Sequence, residues 1–159
     1  MRKFKKKKGG SKVSKQKKAS ILVCVTGQRD CDRLIHAGKE YAEETHLPLQ
    51  VLCVQPTVNG FCAHSEEIEY LHQTSIEAGA EMTIYFHDDA ALIAAGFAKQ
   101  CRAVQIVTGM PDGRPNGFVE AMHRLLPSIP ISMVSKEGKI YNMYPSYRYI
   151  KPAKASVLG

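Results

Sequence analysis

His87-Asp88-Asp89 sets an imidazole beside two carboxylates, the residue types of an acid–base pair or of a metal shell. Directly after a strand, the same triplet also suits a helix start, where an aspartate accepts from unpaired amides and opposes the helix dipole. We read it as a cap. His36, His46, His64, His72 and His123 show no HExxH or other paired metal spacing. No GxSxG occurs, so nothing asks for covalent catalysis. The segment GMPDGRPNG (109–117) could hold an anion, with Arg114 supplying charge and Asn116 capping a following helix. Its glycines could equally serve only a tight connection that needs unusual backbone angles.

Five cysteines, Cys24, Cys31, Cys53, Cys62 and Cys101, form no CxxC pair and are odd in number. Such usage points to free thiols in a reducing compartment, hence to a cytoplasmic location. Cys24 and Cys53 lie within apolar runs and read as small buried hydrophobes.

The net charge of +7 is unevenly placed. Residues 1–19 hold ten of the 22 Lys and Arg, among them Lys5, Lys6, Lys7, Lys8, Lys12, Lys15, Lys17 and Lys18, and none of the 15 acids. The rest of the chain has 12 basic residues against 15 acidic ones and is mildly negative. A block of charge, Gly and Ser cannot offset its ordering entropy, so a disordered polybasic tail is expected. Non-specific nucleic acid, an anionic membrane surface or solubility alone are its three readings. Near the other end, Tyr141, Tyr144, Tyr147 and Tyr149 interleave with Lys139, Arg148, Lys151 and Lys154. That pattern fits an arm packed on a partner subunit, or a single-strand nucleic-acid contact. No run reaches the roughly 18 apolar residues of a membrane span, and no apolar h-region follows the basic start.

Something must position these groups. The short continuous apolar run at 21–25 reads as a strand covered on both faces, and 49–54, 82–86, 103–107 and 129–134 read as further strands. Between them, 30–46, 64–78, a stretch capped by Asp88 or Asp89 and ending near Gln100, and 118–126 read as helices. Ser65 is the expected cap of the second, Gly79 its stop, and Leu92, Ile93 and Phe97 the inward face of the third. Strict alternation with right-handed crossovers implies an α/β, doubly wound, five-stranded parallel sheet with helices on both faces.

The segments ILVCVTGQRDCDRLIHAGKEYAEETHLPLQVLCVQP, GAEMTIYFHDDAALIAAGFAKQCRAVQIVTG and PISMVS resemble, in order, the universal stress protein domain. They are most similar to the version found in bacterial potassium-sensor histidine kinases. The resemblance implies strand order 3-2-1-4-5 (the Usp, or adenine-nucleotide-hydrolase-like, fold), with ligands held beyond strands one and four. Thr26, Gly27 and Gln28 then face Gly109, Gly113, Arg114, Asn116 and Gly117 across that cleft. ATP-binding members carry Gly-x2-Gly-x9-Gly-Ser/Thr after strand four. Here Gly109 matches the first glycine, but Asp112 stands at the second and Met122-His123 at the last pair. A carboxylate there repels phosphate, and a proline removes an amide donor. The acidic residue that commonly ends strand one in ATP-binding members is replaced by Thr26-Gly27, and the Ser-x-Ser of cyclic-dinucleotide binders by Thr26-Gly27-Gln28.

The expectation is therefore a non-catalytic regulatory or ligand-sensing domain with a degenerate nucleotide loop. ATP or another adenine nucleotide acting as a switch is the alternative, and a polyanion-binding adaptor is a third. The expected division is a tail over 1–19, the domain over 20–136 and a tyrosine-rich arm over 137–159. A homodimer through strand 129–134 is also expected, since that apolar edge would otherwise stand open.

Overall fold

The computed structural model describes residues 18–57, 65–111 and 117–145. Strands β1 (Ser20–Val25), β2 (Leu49–Gln55), β3 (Glu81–Phe86), β4 (Ala103–Gly109) and β5 (Ile131–Val134) alternate with helices α1 (Asp32–Thr45), α2 (Ser65–Glu77), α3 (Ala90–Gln100) and α4 (Phe118–Leu125). A last strand, β6 (Ile140–Met143), follows β5. The sheet order is β3-β2-β1-β4-β5-β6, parallel except for β6. The five parallel strands thus lie in the order 3-2-1-4-5.

Every residue of β1 is buried, because helices cover both of its faces. Side-chain alternation sends Ile21, Val23 and Val25 toward α1 and α2, where Leu34, Ile35, Val51 and Leu71 join them. Leu22 and Cys24 point to the opposite layer, with Leu52, Ile106, Ala94, Ala98 and Met122. Gly38 lets α1 approach β1 closely, since a Cβ there would run into Val23.

The sequence reading differs from the structure in four places. The first helix does not start at Asp30: a short 3-10 turn, Arg29–Cys31, comes first and α1 begins at Asp32. Leu92 does not point inward but is 54% exposed, and Ile93 and Phe97 are half-buried. The buried face of α3 is Ala94, Ala95 and Ala98, a narrow stripe that seats the helix close to the sheet. The fifth strand starts at Ile131 rather than at 129.

The fourth correction is the largest. Strand β5 is not a bare edge, and the sheet has six strands rather than five, because part of the expected tyrosine-rich arm folds back as β6. Ile131 pairs with Met143, Ser132 with Asn142, Met133 with Tyr141 and Val134 with Ile140. A fully buried side chain fixes that register. Ser132 Oγ accepts from Gln105 Nε2 at 2.8 Å and donates to Asn142 Oδ1 at 2.6 Å, with the Tyr41 hydroxyl 3.3 Å away. Slipping by one residue would strand these polar groups without partners, so the network specifies the pairing. Residues Tyr147, Arg148, Tyr149, Lys151 and Lys154 of the arm lie outside the described residues, as do Lys5, Lys6, Lys7, Lys8, Lys12, Lys15 and Lys17. Lys18 is exposed.

Candidate functional site

The strand order reverses between β1 and β4, so the connections that leave them diverge and open a crevice beyond their carboxyl ends. A cavity of about 430 Å³ lies there, within the size range of small-molecule sites. Its floor is apolar: Cys24, Leu52, Val54, Ala94 and Phe118. Its rim is polar: Thr26, Gln28, Asp30, Arg33, Thr108 and Lys136.

The β1 side of the rim is a turn held by one buried amide. Gln55 ends β2 and is 4% exposed. Its Nε2 donates to the Thr26 carbonyl at 2.7 Å and also lies 3.2 Å from Cys53 Sγ. Gly27 has φ +93°, and a Cβ there would stand 2.5 Å from that same nitrogen. Gly27 is therefore the pivot of the turn rather than part of the cavity wall. The 3-10 turn that follows is braced from α2. The Tyr70 hydroxyl donates to Asp32 Oδ2 at 2.6 Å, and the Arg29 guanidinium lies 4.0 Å over the Tyr70 ring. The hydrogen bond to Asp32 raises the Tyr70 pKa, helped by burial and by the carboxylate's charge.

On the β4 side, the backbone after Gly109 is already committed. The Met110 amide donates to the Val134 carbonyl at 3.0 Å, and Pro111 has no amide to give. Arg33, from the first turn of α1, reaches that Val134 carbonyl and two others. Its Nε donates to Ser135 O at 2.9 Å, Nη2 to Val134 O at 3.3 Å and Nη1 to Asp30 O at 2.7 Å. The Asp30 carboxylate is 3.6 Å from Nη1.

Of the residues singled out from sequence, Thr26, Gln28 and Gly109 line the cavity. Gly117 does not; it precedes α4 with φ +77°. Gly113, Arg114 and Asn116 lie outside the described residues. Met122, at the place of the last glycine of the ATP-type loop, is fully buried in the core under α4. Arg33, Lys136 and Gln55 carried no sequence signal, since no motif spacing links them.

The His87-Asp88-Asp89 triplet is a structural junction. Asp89 caps α3, its Oδ1 accepting from the Leu92 amide at 3.1 Å. His87 Nδ1 accepts from the Asp89 amide at 2.9 Å. Asp88 takes the Thr57 amide at 3.0 Å and the Thr57 hydroxyl at 2.9 Å, and these bonds hold its pKa below the usual carboxylate value. Among the described residues, no group of three or more His, Cys, Asp or Glu is gathered as a metal shell. Burial, with a smaller contribution from Cys101, pushes the Cys24 thiol up to about 12. It therefore meets the cavity as an apolar wall and not as a nucleophile.

Solved universal stress proteins share this architecture. The protein from Archaeoglobus fulgidus in complex with dAMP is similar at TM-score 0.55 and 18% identity, over 73% of this chain and 97% of that one. A universal stress protein in complex with cAMP is similar at 0.56 and 14%, over 76% and 99%. A member of the family from Burkholderia pseudomallei is similar at 0.53 and 19%, over 72% and 94%. No protein-family model matches the sequence, and no curated protein matches it. The likeness is one of fold: an α/β unit with the universal stress strand order, extended here by an antiparallel sixth strand.

Proposed function

We propose that this chain is a regulatory, ligand-sensing domain of the universal stress type, which binds an adenine nucleoside carrying few phosphates and does no chemistry on it. The observation that carries the reading is the crevice beyond β1 and β4, an apolar slot with a polar rim. An apolar floor suits a planar base, and rim hydroxyls and amides suit a ribose. The two positions after Gly109 offer no free amide, because one is bonded to Val134 and the other is a proline. At these two described positions a polyphosphate finds none of the backbone donors that such loops supply. Two neighbours of the same fold hold dAMP and cAMP, which supports a monophosphorylated ligand.

Calorimetry on the full chain with adenosine, AMP, cAMP and ATP tests this. AMP or cAMP should bind at least tenfold more tightly than ATP, whose dissociation constant should be millimolar, about −4 kcal/mol. Micromolar ATP affinity would overturn the degenerate loop. Failure of every adenine compound up to millimolar concentration would overturn the cleft, and phosphate release from ATP would overturn the non-catalytic assignment.

In the same reading the domain works in the cytoplasm, as in the sensor-kinase version it resembles, and residues 1–19 are a polyanion-binding tail. Self-association moves from β5 to β6, whose outer edge carries the exposed Ile140 and Tyr141. Light scattering that reports a monomer at high micromolar concentration would remove the dimer.

A further inference from the structure

The β5–β6 turn is an addition to the five-stranded sheet, and it reaches the cleft. Lys136 lines the cavity from this turn. Its backbone setting is rigid: the Ser135 amide donates to Lys139 O at 2.8 Å, the Gly138 amide to Ser135 O at 2.9 Å, and the Lys139 amide to Ser135 Oγ at 3.0 Å. Arg33 and the Met110 amide then staple Val134 and Ser135 to the cleft wall.

The charges around the cavity are few. Arg33 and Lys136 are the cations among the described lining residues, and Asp30 is the carboxylate. Arg33 gives a donor from each of its three nitrogens to backbone carbonyls and sits against Asp30. Lys136 is exposed and has no ion-pair partner among the described residues. Among the described residues it is thus the cation at the cleft whose charge is not already answered.

We propose that Lys136, delivered by the β5–β6 turn, is the counter-charge for a single anionic group on the ligand, and so sets the preference for a monophosphate over an uncharged nucleoside. The assignment rests on the adenine-nucleoside reading of the cleft. Lys136 supplies one side-chain ammonium, a compact point charge, beside a stretch where the Met110 amide is already bonded and Pro111 has none.

The test is calorimetry of AMP and adenosine with the full chain and its Lys136→Ala, Lys136→Glu and Lys136→Arg variants. Loss of one charge-assisted contact should lower AMP affinity about tenfold in Lys136→Ala. The fall should be larger in Lys136→Glu and small in Lys136→Arg, with adenosine within about twofold throughout. Because the side chain is exposed on a turn, melting temperatures should stay unchanged. Unaltered AMP affinity in Lys136→Glu, or an equal fall for AMP and adenosine, would overturn the role of Lys136 alone. Failure of the unaltered chain to bind either AMP or adenosine would instead overturn the cleft reading on which the assignment rests.

Discussion

Substituting Gly27 by alanine should destabilise the domain through one identifiable neighbour. An L-residue in the positive-φ region costs about 1–2 kcal/mol, and Gly27 sits at φ +93°. The new Cβ would also stand 2.5 Å from Gln55 Nε2 and 3.3 Å from its Cδ. Gln55 is buried, so it can yield only by leaving the Thr26 carbonyl that it bonds at 2.7 Å. Unpairing a buried amide costs about 1–3 kcal/mol. The combined loss should be about 3 kcal/mol, or roughly 10 °C in melting temperature for a domain of this size. Urea unfolding of Gly27→Ala, Gln55→Ala and the double variant separates the two contributions. Without the amide, only the backbone cost remains, so the cycle should show a coupling of about 1–2 kcal/mol. A loss below about 0.5 kcal/mol in Gly27→Ala, or equal losses in both backgrounds, would refute the lock.

Three further outcomes are expected. The Asp88 carboxyl, held below the ordinary 3.8 by the Thr57 amide and hydroxyl, contributes stability that is present above about pH 4 and lost as pH falls through its lowered pKa. Asp88→Asn should therefore flatten that part of the acid limb in urea midpoints taken between about pH 2 and 7; an NMR titration placing Asp88 at or above the ordinary value would contradict it. Cys24, its thiol pushed up to about 12, should resist iodoacetamide at about pH 8 until the chain unfolds, and rapid native labelling seen by mass spectrometry would show the thiol is not sealed. Deleting residues 1–19 should abolish duplex binding while barely moving the melting temperature. If about five phosphates are neutralised, full-length affinity should drop roughly 500-fold between 50 and 200 mM salt; a flat salt response would point away from the tail.

The parallel sheet was legible in the sequence because a strand covered on both faces must be apolar at every position. ILVCV at 21–25, buried at every position, has no other economical burial. Strand–helix alternation and right-handed crossover then leave few topologies, and the family resemblance, rather than the pattern, picked the order 3-2-1-4-5 that opens a crevice beyond β1 and β4. A cap at Asp88 or Asp89 was readable for a local reason, since the Asp89 carboxylate and the amide it serves are three residues apart, but the choice of Asp89 over Asp88 came from the fold, which gives Asp88 to Thr57. Gly79 was readable for the same reason, since it stops α2 with φ +76°.

The inward face of α3 was not legible. That helix carries Leu92, Ile93, Ala94, Ala95 and Phe97 nearly all round, and only the closeness of the sheet selects the alanines over the larger side chains. Strand β6 was not legible either. Ile-Tyr-Asn-Met is a weak local signal, and its pairing is settled by Asn142 reaching Ser132 and Tyr41, residues ten and 101 positions away. The site followed the same division. Its place came from strand order, which the family resemblance supplied. Arg33 on α1 and Lys136 on the β5–β6 turn line it, and Gln55 on β2 holds its β1 turn, residues that no sequence spacing connects. They come to one end of the sheet only once it is assembled, because Gln55 bonds the Thr26 carbonyl after β1 while Arg33 and the turn of Lys136 are fastened at the end of β5.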